Sequence, residues 1–232
     1  MNTVTTTFSR DQKRKGLAVC IAFLILRVIV MQVWYSRFGS AGAPNLVYLF
    51  FLIGLFLVFS VGIVALGLGL WARIDLRRLW LGVGVKAKDI LIGVLTGVGL
   101  TVLLLAGAFV IKASGAAPAQ PASPDTSHLL TNMIFTIGSG LFFAAFIASF
   151  CEETLFRGFL QSVLRERLRP LSAVVIQASV FSLAHLGIEP FSSLPQFLAM
   201  ALLRFLAGTA FGWIVWKRGS LLAAGIAHAI TG

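Results

Sequence analysis

The sequence predicts an all-α fold, a polytopic transmembrane helical bundle of about seven spans with a cytoplasmic N-terminus. Three observations predict it: a strongly apolar composition, a series of apolar runs of bilayer length, and basic residues gathered into alternate loops. Of 232 residues, 58% are hydrophobic and only 12% are charged, and the mean hydropathy is +0.95. A soluble domain of this size could not stay dissolved with so little polar surface, so the chain's solvent is lipid.

Lipid offers no partner to a bare N–H or C=O, so the chain must cross it as helices of roughly 20 apolar residues. Such runs occupy 16–36, 45–72, 89–112, 130–164, 171–187, 195–216 and 219–232. The second and fourth are long enough to tilt or protrude. The first reads as a retained anchor: a signal peptide's apolar core is only about 7–15 residues, and Arg27 interrupts this longer run.

The net charge of +11 would suggest nucleic acid in a soluble protein. Here the basic residues alternate by side. Arg10, Lys13, Arg14 and Lys15 precede the first span. Arg73, Arg77, Arg78, Lys86 and Lys88 follow the second, Arg165, Arg167 and Arg169 the fourth, and Lys217 and Arg218 the sixth. The other side has Arg37 and Lys112, with Asp125 and Glu189. The basicity therefore sets topology, places the N-terminus in the cytoplasm and excludes a nucleic-acid partner. Cys20 and Cys151 lie inside apolar runs, at a spacing that fits neither a zinc site nor a disulfide framework, and read as packing residues.

The chain divides into membrane spans 1 to 3 (1–112), an outer linker rich in Ala, Pro and Ser (113–129), and a helical core (130–232) that holds nearly every intramembrane charge. No internal repeat or matched pair of broken helices marks an inverted-repeat transporter. His128 falls in the outer loop and reads as a surface residue.

Only eight acidic residues exist, and six lie in loops or at helix ends. The adjacent pair Glu152-Glu153 does not. A charge at mid-bilayer costs about 2.5–3.5 kcal/mol on insertion scales, which makes such a pair a functional candidate or a helix-tying salt bridge. On an α-helix Glu153 and Arg157 lie about 40° apart and can pair, whereas Glu152 is turned about 100° from Glu153 and faces another neighbour. Counted from the basic ends at about 1.5 Å per residue, Glu152 lies roughly 20 Å deep, His185 roughly 21 Å and His228 roughly 15 Å. Three polar sites on separate helices thus reach similar depths. Arg27 and Arg204, also within spans, read as structural residues that snorkel or pair with a carboxylate.

These residues carry a family resemblance. Glu152-Glu153-Thr-Leu-Phe-Arg157 resembles the EExxxR motif of the CAAX-protease and bacteriocin-processing family of intramembrane proteases. Phe181-Ser-Leu-Ala-His185 resembles that family's FxxxH, and FLAGTAFGWIVWKRGSLLAAGIAHA its next span and final motif, with His228 as the histidine. The final motif is usually HxxxN, but Gly232 stands four residues after His228. The run from Gly219 would make only about 21 Å of helix against the roughly 30 Å of a crossing.

The resemblance implies an endopeptidase acting on membrane-associated proteins or peptides, some prenylated and some without lipid, with several family members serving bacterial self-immunity. Amide hydrolysis needs a base for water, a proton donor for the amine and a positive group at the oxyanion. Glu152 with His185 can activate the water, Glu153 fixed by Arg157 can orient the pair, and His228 can stabilise the oxyanion. A divalent metal such as zinc held by Glu152, His185 and His228 remains open, although HExxH is absent and no ligand pair has i, i+4 spacing. Two other classes also stay open: a non-catalytic immunity or adaptor protein of the same fold, and a proton-coupled transporter. Short loops fit a multi-pass protein of a bacterial inner membrane. Oligomeric state is not legible.

Overall fold

The computed structural model describes residues 7–38, 59–82, 84–113, 143–185 and 194–231. The outer linker, His128, Gly232 and the first parts of the second and fourth apolar runs lie outside these. Every described element is a helix: α1 (Arg10–Phe38), α2 (Phe59–Trp71), α3 (Leu76–Leu81), α4 (Ala87–Ala113), α5 (Phe143–Leu160), α6 (Gln161–Arg165), α7 (Pro170–Leu183), α8 (Leu194–Arg218) and α9 (Leu222–Thr231).

Among the described residues, two helices, over Ala87–Gly107 and Leu194–Arg218, are long and apolar enough to cross a membrane. Only 11% of the most apolar window of the first is buried within the protein. Leu95, Val102, Leu105, Phe109 and Val110 stand exposed along it. An apolar face of that extent is tolerable in lipid and not in water. The helices α7 and α9, predicted as spans, run for 14 and 10 residues among the described positions, about 21 and 15 Å of rise.

The N-terminus of α1 is fixed by a reciprocal capping box. The Ser9 amide donates to Gln12 Oε1 (2.9 Å) and the Gln12 amide to Ser9 Oγ (3.2 Å). Phe8 is buried against Phe159, with ring centroids 5.5 Å apart. Its amide donates to Glu166 Oε1 (3.1 Å), and Lys13 pairs with the same carboxylate. The start of α1 is thereby docked on the end of α6.

Glycines set the close approaches. Gly93 and Gly97 on α4 face α9, where an added Cβ would meet Ala223 O at 2.7 Å and Ala227 O at 3.0 Å. This is the small-xxx-small contact by which membrane helices pack backbone to backbone. At the end of α3, Gly82 has φ +57° and would carry a Cβ 2.7 Å from Gly219 O. Leu221 N donates to Leu79 O (3.1 Å), so α3 is pinned beneath the turn that joins α8 to α9.

Two stretches depart from expectation, since Ala65–Trp71 at the end of α2 is π-helical and so is all of α5. Residues Phe143–Leu160 form a π-helix, not an α-helix. Its turns close i→i+5, so the angles of about 40° and 100° drawn from α-helical winding do not hold there. The Glu153–Arg157 pair forms nonetheless, with Arg157 Nη1 2.9 Å from Glu153 Oε1.

Candidate active site

Four elements bring ionisable side chains to one point. The π-helix α5 supplies Glu152, Glu153 and Arg157, which are 1%, 0% and 0% exposed. His185 follows the last turn of α7, His228 sits in α9, and Arg27 comes from α1. Both histidines are buried. The five residues singled out from the sequence are therefore assembled in one cluster, although they arise from three separate stretches of chain.

Glu152 is the hub. Its Oε1 pairs with Arg27 Nη1. Its Oε2 lies 3.6 Å from His185 Nε2 and 3.9 Å from His228 Nε2, and has no hydrogen-bond partner among the described residues. Glu153 Oε1 takes both Arg157 Nη1 and His228 Nδ1, the latter at 2.7 Å. The two carboxylates do not have separate neighbours, as helical geometry alone suggests: His228 lies between them and touches both.

The hydrogen bonds fix the tautomers. His185 Nδ1 lies 2.7 Å from Phe181 O, and a carbonyl only accepts, so Nδ1 carries the hydrogen. Likewise His228 Nδ1 donates to the Glu153 carboxylate. In the neutral form of each imidazole, with the hydrogen on Nδ1, Nε2 is left as an acceptor. Each then presents an Nε2 lone pair towards Glu152 Oε2. Three acceptor atoms face one another, the arrangement that receives a hydrogen-bond donor or a cation.

Phe181 and Phe211 wall the site. The Phe181 ring centroid is 4.6 Å from His185, 5.8 Å from His228 and 4.1 Å from Arg157 Cζ. Phe211 stacks on His228 with centroids 4.9 Å apart and an interplanar angle of 26°. A guanidinium on an aromatic face, in a dry site, gains about 2 kcal/mol. Apolar walls also raise the electrostatic worth of every charge they enclose.

Residues 128–232 match the family model described as Rce1-like, type II CAAX prenyl endopeptidase. The C-terminal region is thus similar to that family. The match agrees with the family resemblance carried by the three motifs. No curated protein and no solved structure matched the chain.

The Rce1-like region contains Glu152, Glu153, Arg157, His185, His228, Phe181 and Phe211, but not Arg27. Sequence reasoning treated Arg27 as structural, since its own helix holds no acidic partner. An unpaired arginine in the middle of an apolar run was the only signal, and it names no partner. Phe211 lies within the stretch that resembles the family's next span, and a ring in an apolar helix does not announce that it covers a histidine. Arg204 is half-buried on α8. Cys20 and Cys151 are both free thiols, Cys151 fully buried. Among the described residues, no group of three or more His, Cys, Asp and Glu is arranged to hold a metal ion. Glu152 Oε2 has the Nε2 atoms of His185 and His228 at 3.6 and 3.9 Å.

Proposed function

We propose that the chain is an intramembrane endopeptidase that hydrolyses a peptide bond in a membrane-associated protein or peptide, prenylated or not. It would be a multi-pass protein of a bacterial inner membrane, with about seven spans and a cytoplasmic N-terminus. The observation that carries the reading is Glu152 Oε2, buried, without a hydrogen-bond partner and faced by two imidazole Nε2 atoms.

A water donating one hydrogen to Glu152 Oε2 and the other to His185 Nε2 turns its lone pair to the scissile carbonyl. As its oxygen bonds to carbon, Glu152 takes the proton. His228, whose Nδ1–H is held by Glu153, takes a proton from solvent at Nε2 before attack, hydrogen-bonds through it to the oxyanion, and keeps it when the tetrahedral intermediate collapses. Glu153, paired with Arg157, faces the imidazole of His228 from its Nδ1 side. When the C–N bond breaks, Glu152 passes its proton to the leaving amine. Arg27 holds Oε1 of the base and leaves Oε2 as the working atom.

The test uses protein purified in detergent and a membrane-tethered peptide, offered with and without a prenyl group. Glu152→Ala and His185→Ala should each abolish cleavage while leaving the helical fold intact. Undiminished turnover in either variant removes this assignment. A wild type that cleaves nothing, with a cellular phenotype unaffected by Glu152→Ala, favours the adaptor or immunity reading. Activity before and after chelation decides between water activated by Glu152 alone and water held on a metal at Glu152, His185 and His228.

A further inference from the structure

Apart from the carboxylate cluster, a second polar cavity opens on the basic side of the bundle. Its volume is about 30 Å³, and Arg78, Arg157, Ser162, Arg165 and Ser220 line it. It lies where α3, the end of α6 and the α8–α9 turn meet. Room of this size holds about two waters or one compact oxyanion.

The lining is one-sided in charge. Three arginines contribute to it, and no carboxylate is among the described residues that line it. Several of its polar atoms lack partners among the described residues. Arg165 Nε and Ser220 Oγ are buried without a hydrogen bond, and Ser220 is 4% exposed. Arg157 spends Nη1 on Glu153, while its Nε and Nη2 make no hydrogen bond. Burial lowers the pKa of Arg165, and no neighbouring carboxylate offsets the effect. Buried cationic donors without an acceptor are costly, and an anion relieves that cost.

We propose that this cavity binds a phosphoryl oxyanion, supplied by an anionic lipid headgroup or by free phosphate. Guanidinium forks pair with phosphate oxygens through parallel, charge-assisted hydrogen bonds, and serine hydroxyls complete a tetrahedral acceptor. The place also fits. Arg165 closes the last turn of α6, and Lys217 and Arg218 close α8 just before the turn that forms one wall. A basic pocket at the end of membrane helices is where headgroup phosphates are met.

The experiment measures binding, not cleavage, so its failure leaves the proposed peptidase activity untouched. Full-length protein in neutral detergent is titrated with inorganic phosphate and followed by phosphorus NMR. A parallel sample in phosphatidylcholine nanodiscs, with and without phosphatidic acid, is examined by native mass spectrometry. Saturable binding is expected, weakened about tenfold or more by Arg165→Gln and by Arg78→Gln, as for loss of one charge-assisted contact. Ser220→Ala, which removes a single hydroxyl, provides a milder variant should an arginine substitution unfold the protein. Binding of inorganic phosphate alone identifies the free anion as ligand, and retention of phosphatidic acid identifies the headgroup. No saturable binding of either probe, or affinities unchanged in the folded variants, overturns the proposal.

Discussion

Arg27 of α1 and Glu152 of α5 form an ion pair although 125 positions separate them in the chain. The guanidinium side chain is 13% exposed and the carboxylate 2%. The charge that fixes Glu152 thus originates outside the Rce1-like region.

Removing Arg27 should therefore cost more than a lost contact. Breaking a buried pair leaves one charge uncompensated, at about 3–5 kcal/mol. Arg27→Met should lower the unfolding temperature in detergent, and the double variant Arg27→Met/Glu152→Gln should recover most of the loss. Arg27→Lys should restore stability in part, since an ammonium replaces the charge but not the planar fork. Equal destabilisation by the single and double variants would show that the pair contributes no coupling.

The two glutamates should separate in what they support. Glu153 holds both Arg157, which is fully buried, and His228, so Glu153→Gln should destabilise strongly and reduce turnover as a consequence. Glu152→Gln leaves Arg27 nearer the surface of the protein. It should destabilise less, yet lower kcat by about 10²–10⁴, the span associated with loss of a general base. Thermal unfolding and single-turnover cleavage of both variants check the contrast.

Gly97 should tolerate no side chain. A Cβ there meets Ala227 O at 3.0 Å and Ile230 Cβ at 2.8 Å. Gly97→Leu should push α9 from α4, cost about 1–3 kcal/mol and reduce cleavage by displacing His228. Gly99, whose Cβ position meets nothing within 4 Å, is the control, and Gly99→Leu should leave both unfolding temperature and turnover near wild type.

Acid should loosen the N-terminus first. Burial alone would raise the Glu166 carboxyl, but the Lys13 ammonium, the Phe8 amide and nearby Arg167 outweigh it and hold the pKa below its ordinary 4.5. A depressed carboxyl pKa stabilises the fold above the unfolded value, and that contribution is lost as pH falls through the folded value. Protection of the Phe8 amide against hydrogen exchange, taken relative to its intrinsic rate at each pH, should therefore fall below about pH 4.5. In Glu166→Gln that protection should already be low at neutral pH and unchanged by acid.

The all-helical class was legible because lipid makes composition decisive: a chain this apolar has few other ways to satisfy its backbone. The site was legible through Glu152, Glu153, His185 and His228, whose cost in an apolar run marks them whatever the tertiary structure. The winding of α5 was not. An α-helix and a π-helix of Phe, Ala and Leu carry the same apolar pattern, and only the hydrogen-bond register separates them. Arg27 was half legible, since its charge stood out in the first span but its partner lay in a distant one. The basic helix α3 is too short to be legible, six residues being less than two turns, although Leu76, Leu79 and Trp80 share a face and Asp75, accepting from Arg78 N, caps it.

The four formal charges of the cluster, from Arg27, Arg157, Glu152 and Glu153, sum to zero. A transmembrane voltage does work on net charge moved through it, about 2.3 kcal/mol per elementary charge per 100 mV across the whole bilayer. Proton steps among Glu152, His185 and His228 span only the 3.6 and 3.9 Å between their atoms, a small part of that thickness. Peptide turnover in proteoliposomes should accordingly be indifferent to an imposed potential, whereas a relay that carries protons across would follow it.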